Sequence, residues 1–314
     1  MKKHKGLALK LWLSIMCNLA LVVSLSGQEI PVGHWRHHLP NNTVIAVAET
    51  PEKIIGATSY GLVVYNKEDS SVEKIDKVQG LTDFGITSMA YDEEHELLLL
   101  GYGNGNLDLI QGGQFINIPD IRRSAIMGSK SINNILIQGS RAYLACGFGI
   151  VEFDLATFLI RDTYFIGPLG SQIEVSDLTH SDTHFFAATN AGLLSAAAQG
   201  VNLADFQNWE KIPVSGQNNE EVNMVAWYKG SLFANVSGSP DDELYRYDGS
   251  QWQAFFPGSE PYSGARRKLR VSGDKLLVSN DQHVDIFNAE LELEERIDNY
   301  YEGMVRALDL LFDQ

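Results

Sequence analysis

Gly61-Leu62-Val63-Val64-Tyr65 is a glycine followed by a short, mostly apolar strand. It returns along the chain as Gly105-Asn106-Leu107-Asp108-Leu109, Gly149-Ile150-Val151-Glu152-Phe153 and Gly192-Leu193-Leu194-Ser195-Ala196. Two degenerate copies follow, Glu243-Leu244-Tyr245-Arg246-Tyr247 and His283-Val284-Asp285-Ile286-Phe287, and successive copies start 44, 44, 43, 51 and 40 residues apart. Strand-like units at a period of about 40 to 50 residues predict a β-propeller, whose four-stranded blades bury their faces only against one another. The expected fold class is all-β, a propeller of the seven-bladed type.

The segments around each copy supply the other strands. An inner strand of mixed apolar and small polar residues precedes it, as in Ile86-Thr87-Ser88-Met89-Ala90-Tyr91 or Val222-Asn223-Met224-Val225-Ala226-Trp227. A continuous apolar run such as Leu97-Leu98-Leu99-Leu100 then fits a strand covered on both faces. The glycine is expected to make the tight turn into the third strand. Tryptophan followed by proline marks the outer strand in Trp209-Glu210-Lys211-Ile212-Pro213 and Trp252-Gln253-Ala254-Phe255-Phe256-Pro257. A further copy, Trp35-Arg36-His37-His38-Leu39-Pro40, precedes the first blade, where it is expected to close the ring and remove exposed strand edges. Met304 to Leu310 reads as one more inner strand. The expectation is six blades plus the first strand of a seventh, in a chain cut from a longer protein. Only Ala289 to Arg296 allows a helical reading, and Leu291 to Arg296 is equally a candidate outer strand.

Residues 1–27 stand apart from the repeats. Lys2, Lys3 and Lys5 precede an uncharged run from Leu11 to Ser26, which is too short for the roughly 20 residues of a spanning helix. This is the pattern of a secretory leader cleaved between Ser26 and Gln28, with the propeller occupying 28–314 and exported to the periplasm or the outer-membrane surface. Four lysines leave with the leader, so the 24 basic residues fall to 20 against 40 acidic ones. Such a balance repels nucleic acid. Cys146 then remains as a single thiol in the apolar run Tyr143-Leu144-Ala145-Cys146, which reads as a small buried hydrophobe.

Candidate chemistry is sparse. On a strand, only His34 and His38 of the histidines at 34, 37 and 38 share a face, too few for a metal centre. Asp92-Glu93-Glu94-His95-Glu96 lacks the ligand spacing of a calcium loop and reads as a solvated turn. Gly101-Tyr102-Gly103-Asn104-Gly105 leads into a strand and offers an anion no helix terminus, which makes it a hairpin turn. With neither a nucleophile elbow nor a zinc-protease helix in the sequence, no enzymatic activity and no cofactor are expected. One feature opposes the acidic trend: on the predicted sixth inner strand, Arg266, Lys268 and Arg270 fall on one side, opposite Leu269 and Val271, and Arg306 on the next inner strand could join them. Those cations are the candidate ligand site, suited to phosphate or carboxylate groups of an anionic glycan.

The stretch from Gly80-Leu81-Thr82-Asp83 through Ile86 to Asp92 and on from Leu98 to Ile110 resembles the amino-terminal propeller of PorZ-type proteins of the Bacteroidota type IX secretion machinery. Val32-Gly33-His34-Trp35-Arg36-His37-His38 and the segment from Tyr143 to Asp154 are similar to the same family. The resemblance implies two consecutive seven-bladed propellers and a sorting domain, held at the cell surface in an attachment complex with a sortase. It also implies presentation of anionic lipopolysaccharide to that sortase. A glycan-sensing propeller of a hybrid two-component regulator, built on similar Gly-Leu-x-x-Tyr blades, is the alternative.

Overall fold

Each repeat folds into a four-stranded antiparallel meander. The computed structural model describes residues 39, 41, 43–216, 220–238, 241–255, 266–280 and 283–298. Among these, six sheets follow one another. The first blade is Val44–Glu49, Lys53–Thr58, Gly61–Asn66 and Val72–Ile75, and the second is Ile86–Asp92, Leu97–Tyr102, Leu107–Gln111 and Gln114–Ile118. Blade three comprises Ile132–Gln138, Arg141–Cys146, Gly149–Asp154 and Leu159–Tyr164; blade four comprises Val175–His180, His184–Thr189, Gly192–Ala197 and Glu210–Ile212. Blade five comprises Val222–Tyr228, Ser231–Val236, Glu243–Tyr247 and Trp252–Ala254; blade six comprises Arg266–Ser272, Lys275–Asn280, His283–Phe287 and Leu293–Asp298. The all-β propeller is therefore observed with six blades. The leader, the closing strand proposed from Trp35 and the seventh inner strand proposed from Met304 lie outside the described residues.

The apolar runs do what a two-sided burial requires. In Leu97–Leu100, Leu97 and Leu99 enter the core shared with the third blade, while Leu98 and Leu100 enter the core shared with the first. All four are buried. The same division sends Phe185 and Ala187 toward the third blade, and Phe186 and Ala188 toward the fifth. Each leucine removed from water in this way contributes about 1.5–3 kcal/mol, so the seams between blades carry most of the stability. Cys146 is one of these core residues; burial pushes its thiol well above the ordinary range, and its Sγ–H points to the Leu144 carbonyl at 3.5 Å.

The repeat glycine has a more specific cause than a tight turn. A Cβ at Gly61 would lie 2.5 Å from the Ile75 carbonyl oxygen, and one at Gly149, where φ is +149°, would lie 2.2 Å from that of Tyr164. In these two blades the outer strand passes too close to the head of the third strand for any side chain, whereas at Gly105 the crowding comes from Lys130 and Ile121. Gly80-Leu81-Thr82-Asp83 also acquires a structural role. Thr82 donates from its backbone N–H (2.9 Å) and its hydroxyl (2.6 Å) to the buried carboxylate of Asp108, which also accepts from the Tyr102 hydroxyl at 2.7 Å and Asn117 Nδ2 at 2.9 Å. Asp83 accepts from Asn104 Nδ2 at 2.6 Å and from Arg122 at 2.8 Å. Arg122 is carried by a one-turn helix, Asp120–Arg123, that the strand pattern does not announce. These bonds clamp the connection between the first two blades onto the second.

The helical reading of Ala289 to Arg296 is overturned. Leu293–Asp298 is the outer strand of the sixth blade, and from it Arg296 reaches the fully buried Asp285 with Nε and Nη2, at 2.7 and 3.0 Å. A charged segment becomes a strand because the neighbouring strand offers its arginine a bidentate partner.

Candidate functional site

The six inner strands converge on a central cavity of about 320 Å³. Every one of them carries a bulge near its start, where the register against the second strand slips by one residue. A bulge turns an extra side chain away from the regular alternation, and here these side chains, with their neighbours, stitch one blade to the next. Thr87 and Ser88 donate to the Ile132 carbonyl at 2.7 and 2.8 Å, and Asn133 donates to that of Val175 at 2.8 Å. The Trp227 N–H donates to Thr179 Oγ1 at 3.1 Å. The small polar residues of the inner strands are there to satisfy backbone groups that no sheet partner reaches.

Asp177 is the centre of this stitching. Its carboxylate accepts from Asn134 on the third blade, from its neighbour Leu178 N–H at 2.8 Å and from the Val225 N–H of the fifth blade at 3.0 Å. Burial raises its pKa above the ordinary value, against the opposing pull of the Lys268 charge and of those hydrogen bonds. One side chain thus holds three blades together at the channel wall.

The cationic strand lies where the sequence places it, as the sixth inner strand, Arg266–Ser272. Arg266 heads the strand opposite Asn280, and the register slips between Arg266 and Lys268, so the regular alternation that would put the three cations on one side begins only at Lys268. Lys268 and Arg270 both line the cavity, half-buried, with Leu269 buried between them. Arg270 donates from Nη1 to the Val47 carbonyl at 3.2 Å, joining the sixth blade to the first. Lys268 acts electrostatically on Asp177. Arg306 lies outside the described residues. The wall therefore combines two cations, amide and hydroxyl side chains, and Trp227, whose ring stacks on Phe186 at 6.0 Å between centroids. Such a lining can hold phosphate or carboxylate oxygens in a place with restricted access to water.

Sequence reasoning singled out the cations but missed Asp177, Asn134 and Thr87. The available signal was the recurrence of Ser, Thr, Asn and Asp near the start of each inner strand. Other candidates resolve simply. Asp92 to Glu96 forms a turn in which the Asp92 carboxylate contacts His95 Nδ1, and Gly101 to Gly105 is the hairpin between second and third strands, with Gly105 at φ +81°. Among the described residues no three metal-ligating side chains converge. His34, His37 and His38 are outside them.

Three comparisons bear on this architecture. A family profile described as the amino-terminal β-propeller domain of PorZ, of the type IX secretion system, matches residues 54–210, half of the chain. Among solved structures, PorZ of Porphyromonas gingivalis, described as an essential bacterial surface component of the type IX secretion system, superposes with a TM-score of 0.72 at 21% identity over 89% of this chain. The chain spans 35% of that protein's length. The β-propeller domain of Cps50 (Swd1) from Myceliophteria thermophila superposes with a TM-score of 0.59 at 12% identity, covering 87% of this chain and 91% of that one. The AfRom2 CNH domain gives 0.54 at 14%, covering 82% and 84%. At these identities the structural likeness is one of fold. No curated protein sequence matches the chain.

Proposed function

Since the chain belongs to the PorZ amino-terminal β-propeller family, we propose that it serves as a non-enzymatic, exported component of a type IX secretion system, and that at the cell surface it presents anionic lipopolysaccharide to a sortase within an attachment complex. The observation that carries the ligand half of this reading is the pair Lys268 and Arg270 on the cavity wall of a chain that is otherwise strongly acidic. In this reading Arg266 and Arg306, which the sequence groups with them, belong to the same anionic-ligand site. Phosphate or carboxylate groups of the glycan occupy the mouth, where an arginine fork and a lysine point charge complement them. Nucleic acid, with its dense charge, is repelled by the surrounding surface.

The test is a titration of the purified chain with purified anionic lipopolysaccharide at two salt concentrations. Lys268→Gln combined with Arg270→Gln is expected to weaken binding about tenfold and to flatten its salt dependence, because screening acts on the charges removed. Arg270→Lys, which keeps the charge, is expected to retain most of the affinity. Unchanged affinity in the double variant would reject the site.

A further inference from the structure

The seams between blades are not closed alike. At the second-to-third seam, Leu155 and Phe158 from the turn between the third and outer strands of the later blade join the core. Leu203 and Ala204 do so at the third-to-fourth seam and Leu291 at the fifth-to-sixth, while at the fourth-to-fifth seam the residues flanking the turn, Tyr247 at the end of the third strand and Trp252 at the start of the outer one, pack against the core. At the first-to-second seam the corresponding turn is Gly112-Gly113, with φ of +54° and +77°. It has no side chain to insert. A groove of about 530 Å³ stays open there, with Ile55, Val64, Leu98, Ile110 and Phe115 among its apolar walls.

The rim of this groove is acidic. Glu52, Glu73 and Glu96 stand exposed around it, with Lys53 the one cation among the lining residues. None of the three carboxylates accepts a hydrogen bond or meets a cation among the described residues. Tyr91 on the wall registers the local field: burial first, then the charges of Glu96, Glu93, Asp92 and Glu52, push its phenol above the ordinary value. Other carboxylates are held by partners, as Asp154 is by Arg161, Asp285 by Arg296 and Asp108 by the hydrogen bonds of Thr82, Tyr102 and Asn117.

We infer that the groove between the first and second blades is a docking site for a segment of a partner protein that offers a large apolar side chain flanked by basic residues. A pocket of this size accepts one such side chain together with its neighbours. The apolar anchor would take the place that Phe158 or Leu291 fills at other seams, and the flanking cations would relieve the repulsion among the three carboxylates. The inference is independent of the channel cations: the groove and the channel share Tyr91 in their walls, but Lys268 and Arg270 do not line the groove.

The probe is a fluorescein-labelled hexapeptide, Leu-Phe flanked on each side by two basic residues, titrated by anisotropy into the full chain. Two control peptides carry Ser-Ser in place of Leu-Phe, or glutamates in place of the basic residues. Saturable binding of the first peptide alone is expected. Glu52→Gln, Glu73→Gln and Glu96→Gln together should weaken it about tenfold, in line with loss of rim charges that steer and hold a partner, and Ile110→Trp, which fills the groove, should abolish it. Asp182→Asn, Glu290→Gln and Glu292→Gln, on other turns, should leave it unchanged. The triple rim variant alters only exposed side chains, so it remains informative if the tryptophan variant misfolds. Absence of binding, equal binding of either control peptide, or equal loss from the distant acidic substitutions would overturn the inference.

Discussion

The first-to-second and third-to-fourth seams are built from the same repeat and end differently. At the third-to-fourth seam a long turn brings Leu203, Ala204 and Trp209 into the core; the Trp209 indole donates to the Leu203 carbonyl at 2.9 Å, and Asp177 ties the inner edge by accepting from Asn134. At the first-to-second seam the turn is two glycines, and the core opens to a groove ringed by carboxylates that meet no cation among the described residues. Strand pairing and the two-sided apolar runs are common to both, so the propeller frame does not depend on the turn. What the turn decides is whether a seam is filled from within or left for something else to enter. The loops that a rigid scaffold holds are where binding differences accumulate.

The largest effect that would break this contrast is at the filled seam. Trp209→Ala removes a buried ring and its hydrogen bond, and is expected to cost about 3–5 kcal/mol in urea unfolding. Ile110→Ala, at the open seam, leaves a position already beside empty space and is expected to fall at or below the bottom of the usual range, about 2 kcal/mol. Equal losses would show that the seams are equally packed.

A smaller effect separates the two kinds of glycine. Gly149→Ala forces a side chain against the Tyr164 carbonyl in a backbone conformation that disfavours it, and should cost about 1–3 kcal/mol. Gly112→Asn meets nothing within 4 Å and keeps a residue that tolerates positive φ, so its cost should stay within about 0.5 kcal/mol. If both changes cost the same, the glycines of the repeat and of the open turn have one role.

The subtlest signal is a pH dependence at the inner edge of the filled seam. Asp177 has a folded pKa above its ordinary value of 3.8. The folded chain therefore holds this proton more tightly than the unfolded one, and the stability it adds is fully present below 3.8 and declines as pH rises through the raised value. Comparing urea midpoints of the wild type and Asp177→Asn across that window, the difference is expected to move in favour of the variant as pH rises. A difference that stays flat would mean that Asp177 is ionised as readily folded as unfolded.

Much of the frame was legible in the residues. The glycine interval located the third strand of each described blade, the Leu97–Leu100 run announced burial on both faces, and Trp209 and Trp252 marked outer strands. The inner-strand bulges were not legible, because a register slip changes which residues face each other without changing which residues are present. That is why Arg266 was grouped with Lys268 and Arg270 by simple alternation. The open seam was hidden for a related reason. Gly112-Gly113 reads as an ordinary hairpin turn, and its consequence depends on the wall formed by Ile55 and Val64 of the preceding blade. Asp177 was unremarkable as one of 40 acidic residues until three blades were seen to donate to it.

Hydroxyl-radical footprinting with and without purified anionic lipopolysaccharide tests the central claim most directly. Trp227 lines the cavity beside the cationic strand, and Met127 is 79% exposed on a connecting loop, which supplies an internal reference. The account predicts that saturating lipopolysaccharide protects Trp227 from oxidation while Met127 is modified as before, and that the protection is lost in Lys268→Gln/Arg270→Gln. Protection of Met127 with Trp227 unaffected, or no protection at either residue, would contradict it.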